Sequence, residues 1–228
     1  PPSNCLPKVK VYCLVKHVHS RAFLLECSLQ AIPHHQHNIT NLKRHNMNII
    51  AFGTSTSQHS INQKLATYVA GELGEHQVRI LELSDFEMPI YSIDLQQQGF
   101  PAQAHEFLNE IQAADGIVVS LAEHNLNFTT AFKNVLDWVS RIDMQFLLGK
   151  KLLVLSTSPG GFGGGNVMEI GLKYFGFAQG EVVAHYSLPS FQDHFKDGVI
   201  ESEDIQAIVA EKIDVFLSSL NQTEATTA

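Results

Sequence analysis

Five short apolar runs, separated by segments of helical spacing, constrain this chain more than any other feature of it. The runs are Asn48–Phe52, Gln77–Leu81, Gly116–Ser120, Lys151–Leu155 and Glu181–His185, and three of them are nearly continuous Val, Ile and Leu. Strands that are apolar on both faces belong in a parallel sheet with helices packed on either side. The intervening segments supply those helices. Asn62–Leu73 places Leu65, Val69 and Leu73 at i, i+4 and i+8, Ala102–Ala113 aligns Ala104, Phe107, Leu108 and Ile111, and Thr130–Ile142 aligns Phe132, Val135, Leu136 and Val139. Asn166–Phe177 and Glu203–Leu220 complete a set of five. Alternation of this kind, with short connections, implies right-handed crossovers in an α/β domain.

Five strand–helix units beyond Met47 are too few for an eight-fold barrel. They predict a doubly wound, five-stranded parallel sheet in the order 2-1-3-4-5, the flavodoxin-like arrangement, with helices on both faces. The charge is unevenly spread. Residues 1–46 carry six Lys and Arg against one acid, leaving nine against 22 in the rest of the 228-residue chain, so a net charge of −8 conceals a domain near −13. Such acidity argues against nucleic acid or an anionic membrane as partner, and leaves neutral or cationic partners for anything held by bulk charge. No run is long and apolar enough to span a bilayer, because Lys16, His17, His19, Arg21 and Glu26 interrupt the best candidate at Val11–Ile32. Charges at that spacing also spoil a secretory signal. A soluble, cytoplasmic protein is the expectation. Residues 1–46 follow no sustained period and read as a basic leader outside the fold, 47–222 as the domain, and 223–228 as a tail. The leader holds all three Cys, Cys5, Cys13 and Cys27, but no CxxC pair or HxxxH helix gives zinc-like spacing, and no metal site is assigned.

In doubly wound sheets the ligand sits beyond the carboxyl ends of the strands, near the point where the strand order reverses. Three of the loops that follow strands here are suited to a ligand. The first, Gly53–Asn62, carries five hydroxyl side chains into a helix, where unpaired N–H groups and the helix dipole favour a phosphate without any Lys or Arg. It lacks the lysine of a P-loop and the glycines of a dinucleotide fingerprint, so a monophosphate is the better match. Ser60 alternatively does no more than cap that helix. The second loop, Leu121–Thr130, can present polar groups and His124 to the edge of a flat ring. It runs into a helix on which Lys133 and Asp137 can pair and Trp138 reads as core. The third, Ser156–Gly165, holds five glycines in six residues, which lets backbone approach a ligand closely.

Together these segments resemble the NADPH-dependent FMN reductase family, flavodoxin-fold enzymes that include quinone, azo-dye and chromate reductases. The family's phosphate loop, GSxRxxSxN, is matched by Thr54–Asn62, its PEYN motif and LKNxxDW helix by Ala122–Asn125 and Phe132–Trp138, and its TSPGGxGG turn by Thr157–Gly164. The resemblance implies non-covalent FMN, with the phosphate on Ser55, Ser57, Ser60, Ile61 and Asn62. It places the ring edge against Ala122, Glu123, His124 and Asn125 and against the turn formed by Ser158, Pro159, Gly160 and Gly161. It further implies hydride transfer from NADPH or NADH to the flavin, a small quinone-, azo- or flavin-type electron acceptor, no catalytic side chain, and a homodimer or homotetramer. Ser57 and Phe162 stand where many relatives carry Arg, His124 replaces the usual Tyr, and Ala122 the usual Pro. A flavodoxin-type electron carrier, reduced by a partner protein, is the alternative from another functional class.

Overall fold

A computed structural model describes residues 46–225 of the chain, with side chains to 222. In chain order the elements are β1 (Asn48–Gly53), α1 (Ile61–Gly71), β2 (Gln77–Ile80), a 3-10 turn at Leu83–Phe86, α2 (Ile93–Gln98), α3 (Ala102–Ala113), β3 (Gly116–Leu121), β4 (Glu123–His124), β5 (Asn127–Phe128), α4 (Thr130–Ile142), β6 (Lys151–Thr157), α5 (Gly165–Phe177), β7 (Glu181–Leu188), α6 (Phe191–His194), β8 (Phe195–Lys196), β9 (Val199–Ile200) and α7 (Glu203–Ala225). The main sheet is parallel throughout, in the order β2-β1-β3-β6-β7. Counting only its five members, that is the expected 2-1-3-4-5. All five expected helices are present. The leader, apart from Asn46, lies outside the described residues, and α7 runs to Ala225, into the expected tail.

Period-two alternation along the strands divides the core between the two faces of the sheet. Ile50 and Phe52 of β1 join Ile117 and Val119 of β3 and Leu152 and Val154 of β6 on the face covered by α3, α4 and α5. Their neighbours Ile49, Ala51, Val118, Leu153 and Leu155 face the other way, onto α1 and α7. Each inner strand is therefore buried on both sides, as its unbroken apolar sequence requires. On the edge strand β7 the register slips between Leu152 and Leu153, which pair with Val182 and Ala184 and leave Val183 as an extra residue.

The small elements were not expected, and each has a local cause. α2 is capped by Ser92, whose hydroxyl accepts from the Leu95 amide, yet it buries no residue and so shows no apolar stripe. The β4–β5 hairpin turns through Asn125 and Leu126, with φ of 51° and 64°. Two positive-φ residues in a two-residue turn give the type I′ geometry that usually calls for Asn-Gly, and Leu at the second position hides the signal.

Buried polar groups lock the carboxyl ends of the strands together. The Asn62 side chain, only 3% exposed in the first turn of α1, accepts from the Ser120 hydroxyl at 2.8 Å and the Thr157 amide at 3.0 Å, and donates to the Thr157 carbonyl at 3.1 Å. One carboxamide thus binds α1 to the ends of β3 and β6. α1 also passes close to β1 at Gly53, where a Cβ would lie 2.4 Å from the Gln63 amide nitrogen, so no larger residue fits there without moving backbone.

Replacing Asn62 by Ala leaves the Ser120 hydroxyl and both peptide groups of Thr157 without those partners, at about 1–3 kcal/mol for each buried group left unpaired. N62A should therefore unfold at a clearly lower urea midpoint with an unchanged slope, and an unaltered midpoint would contradict the bracing role. A second expectation concerns alkaline pH. Burial, reinforced by the negative charge of Asp137 and partly offset by Ser140 and Arg141, pushes the Tyr174 phenol up to about 12. Between about pH 10 and 12 the folded chain keeps a proton that the unfolded chain has lost, so this contribution to stability is complete below that window and disappears as pH rises through it. The variant Tyr174→Phe should lose stability less steeply than the parent over that range in urea titrations.

Candidate active site

The three loops singled out by sequence converge at the carboxyl edge of the sheet, and Thr54 joins the first to the second. This residue is fully buried. Its amide donates to the Ser120 carbonyl at 2.9 Å, its hydroxyl accepts from the Ala122 amide at 2.8 Å, and its carbonyl accepts from the Thr129 hydroxyl at 2.6 Å. The third loop is drawn in by Asn62 through Thr157, and by the segment after β7, where the Ser190 and Phe191 amides donate to the carbonyls of Gly160 and Ser158.

Around the start of α1, Ser55 is half-buried, Ser57 exposed and Ser60 7% exposed. The Ser60 hydroxyl accepts from the Gln63 amide at 3.1 Å, so the residue does cap the helix. A cap uses the oxygen and leaves the hydroxyl hydrogen for another acceptor. Ser55 and Ser57 shape the loop by accepting from the amides of Ser57 and His59. The amides of Ile61 and Asn62 occupy the first two helical positions, which have no acceptor within the helix. Asn62 therefore keeps its backbone N–H without an acceptor in the helix, while its side chain is committed to β3 and β6.

On the second loop, His124 and Asn125 are exposed and Ala122 is buried. The Glu123 carboxylate is turned toward α5, accepting from the Asn166 side chain at 3.2 Å and the Val167 amide at 3.0 Å. There it takes the place of an N-cap, because the capping position itself is Gly164 with φ of 77° and no side chain. On the third loop Pro159, Gly160 and Gly161 are exposed and Ser158 half-buried. A Cβ at Gly160 or Gly161 would meet nothing within 4 Å, and their amides donate to nothing among the described residues, so a planar ligand can lie directly against this backbone. Gly163 is different: φ is 61° and a Cβ would lie 3.0 Å from the Leu188 backbone.

Two features of the neighbourhood escaped the sequence reading. Asn134 and Trp138, one turn apart on α4, pin the segment after β2: Asn134 accepts from the Tyr91 amide and donates to the carbonyls of Met88 and Pro89, and the Trp138 indole donates to Pro89 at 2.8 Å. A polar residue and an aromatic one at i and i+4 on an otherwise apolar helix face were the available signal. Lys133 and Asp137 pair at 2.6 Å, as their spacing suggested. The other feature is an open groove of about 1000 Å³ beside the first loop, between α1 and the β8–β9 hairpin, lined by Ser57, Lys64, Glu72, Glu82 and Asp197 among others. Among the described residues no helix is long and apolar enough to cross a membrane.

A model of the NADPH-dependent FMN reductase family matches residues 47–193. A quinone reductase of Escherichia coli (strain K12) is 39% identical over 79 residues, covering 34% of this chain and 42% of that protein. An NAD(P)H-dependent FMN reductase of Pseudomonas aeruginosa is 36% identical over 84 residues, covering 36% and 45%. The chain thus spans less than half the length of these curated relatives. Among solved structures, FerB of Paracoccus denitrificans, a flavoenzyme NAD(P)H:(acceptor) oxidoreductase, shares the fold with a TM-score of 0.61 and 22% identity, covering 77% of this chain and 98% of its own. An azoreductase of Bacillus anthracis gives 0.55 at 14% identity, covering 77% and 99%. With the matched segment running from β1 through all three converging loops, this chain belongs to the NADPH-dependent FMN reductase family.

Proposed function

We propose that this protein is an NAD(P)H-dependent flavin oxidoreductase that holds FMN at the carboxyl edge of its sheet and reduces a small quinone-, azo- or flavin-type acceptor. The observation that carries the reading is the assembly of three loops whose amides at Ile61, Asn62, Gly160 and Gly161 donate to nothing among the described residues, where Thr54 and Asn62 hold the strand ends together. The donor set fits a flavin mononucleotide. Ser55, Ser57 and Ser60 with the amides of Ile61 and Asn62 would take the phosphate, and Ala122, Glu123, His124 and Asn125 with Ser158, Pro159, Gly160 and Gly161 would frame the ring. FMN held there would supply a hydride acceptor for NADH or NADPH and a two-electron donor for a quinone, which with two protons becomes the hydroquinone.

The protein's share is positioning. The first loop holds an anion with neutral donors, the glycine turn lets backbone lie against a planar ring, and the hairpin closes one edge. No side chain is needed as nucleophile, and none is assigned as catalytic. Glu123 acts here by fixing the start of α5, and hence the glycine turn that precedes it. Self-association and residence in the cytoplasm belong to the same reading. Exposed Ile90, Ile93 and Phe100 near Trp138 support an apolar contact between copies, which sedimentation would reveal as a dimer or tetramer.

The protein as purified, or after addition of FMN, should show a yellow flavin spectrum that bleaches anaerobically on adding NADH or NADPH and recovers with a quinone. A preparation that binds no added FMN would overturn the proposal, and bleaching that required a partner reductase would favour an electron carrier instead. Ser60→Ala removes one phosphate donor and the helix cap, at about 1 kcal/mol each. FMN dissociation constants from flavin fluorescence should rise about fivefold, with a lowered melting temperature.

A further inference from the structure

Among the described residues, the carboxyl edge of the sheet carries far more negative than positive charge. Loops 54–60, 81–101, 122–129, 158–164 and 189–202, which together form that edge, contain eight carboxylates (Glu82, Asp85, Glu87, Asp94, Glu123, Asp193, Asp197 and Glu201) and a single Lys or Arg, Lys196. Lys196 is 67% exposed and lies 4.0 Å from Glu201. The other Lys and Arg residues of the described domain sit in helices, at the far side of the sheet or, for Arg79, in β2 paired with Glu110 at 2.9 Å, and one of those in helices, Arg141, reaches this edge with its guanidinium 5.2 Å from the Tyr91 ring centre. Lys150 and Lys151 lie at the amino end of β6, Arg79 in β2, and Lys64, Lys133, Arg141, Lys173 and Lys212 in helices. Only Lys64 and Lys133 lie within the first turn of a helix that leaves this edge. Lys133 is neutralised by Asp137 at 2.6 Å. Lys64 shares its groove with Glu72, Glu82 and Asp197, a balance of one positive charge against three negative.

Charges gathered on one face sum into a field that attracts one sign of co-substrate and repels the other. A phosphate in the first loop does not relieve that field. It is held by neutral hydroxyls and amides, so it adds its own negative charge to the edge.

We propose, resting on the flavin oxidoreductase reading above, that this site disfavours negative charge beyond that of FMN and NADH: its hydride donor is NADH rather than NADPH, and its electron acceptors are uncharged or cationic. The two nicotinamides differ only by the 2′-phosphate of NADPH. At this edge that dianion meets, among the described residues, a surplus of carboxylates, eight against Lys64, Lys196 and the Arg141 guanidinium over Tyr91. Acceptors are sorted by the same field, which favours a neutral quinone over an oxyanion or a sulfonated dye.

The test uses the full 228-residue chain loaded with FMN, so that the basic residues 1–46 are counted in the result. Calorimetric binding of NAD+ and NADP+ gives a readout independent of turnover, and kcat/KM for NADH and NADPH gives the kinetic one. At low ionic strength NADH should be preferred by about tenfold or more, and the ratio should contract as added salt shortens the Debye length from about 30 Å toward 3 Å. The double variant E82Q/D197N removes two carboxylates from the groove wall. Asn tolerates the left-handed backbone of residue 197, where φ is 50°. It should reduce the preference at least twofold while leaving neutral-quinone turnover with NADH unchanged. In a separate arm, photoreduced holoprotein should be reoxidised faster by a neutral quinone than by its sulfonated counterpart. Equal or tighter use of NADPH, or a preference indifferent to salt, overturns the proposal. Failure of both nucleotides to reduce bound flavin would instead overturn the oxidoreductase reading, and the photoreduced arm still reports on charge selection in that case.

Discussion

A single buried carboxamide determines whether this fold has a site at all. Parallel strands end wherever their ladders run out, and nothing in the ladder itself dictates that three successive loops should meet. Asn62 supplies that constraint by bonding to β3 and β6 from the first turn of α1, and Thr54 extends it to the hairpin loop. Because these bonds are buried, breaking one exposes no compensating water, and the loops are held as a unit. Gly53 belongs to the same arrangement, since only a residue without Cβ lets β1 turn so tightly beneath α1.

The architecture was legible in the sequence because the two-sided burial of the strands writes itself as unbroken Val/Ile/Leu runs, and the helices as 3.6-residue stripes. The extra elements were not, for reasons particular to each. α2 buries nothing and so has no stripe, β4–β5 turns on Asn-Leu in place of Asn-Gly, and β8–β9 has only two residues per strand. The site divides in the same way. Composition located the three loops, since clustered hydroxyls and glycines are visible in one dimension. It did not show which groups are already engaged. Asn62 and Glu123 read as ligand contacts, whereas their side chains are committed to the strand ends and to α5. A polar side chain near a site has the same letter whether it binds the ligand or braces the loop that does.

This distinction also bears on the phosphate loop proposed above, which has no arginine. Amides at a helix start are fixed in direction by the helix, and a hydroxyl that already caps one N–H has its remaining hydrogen oriented. Neutral donors of this kind, preorganised by the fold, need no mobile cation to complete them. The same economy leaves the surrounding edge acidic, and it is the rim rather than the pocket that then decides which charged molecules approach.

Leu126 shows where such a surface can change most cheaply. It holds a left-handed backbone that costs a branched side chain of order 1 kcal/mol, and it is 65% exposed, so its packing returns little to the core. Substitution to Gly or Asn would meet no steric opposition from the fold. Position 126 is therefore a point at which the β4–β5 turn can change by a single substitution while the braced strand ends beneath it stay unaltered.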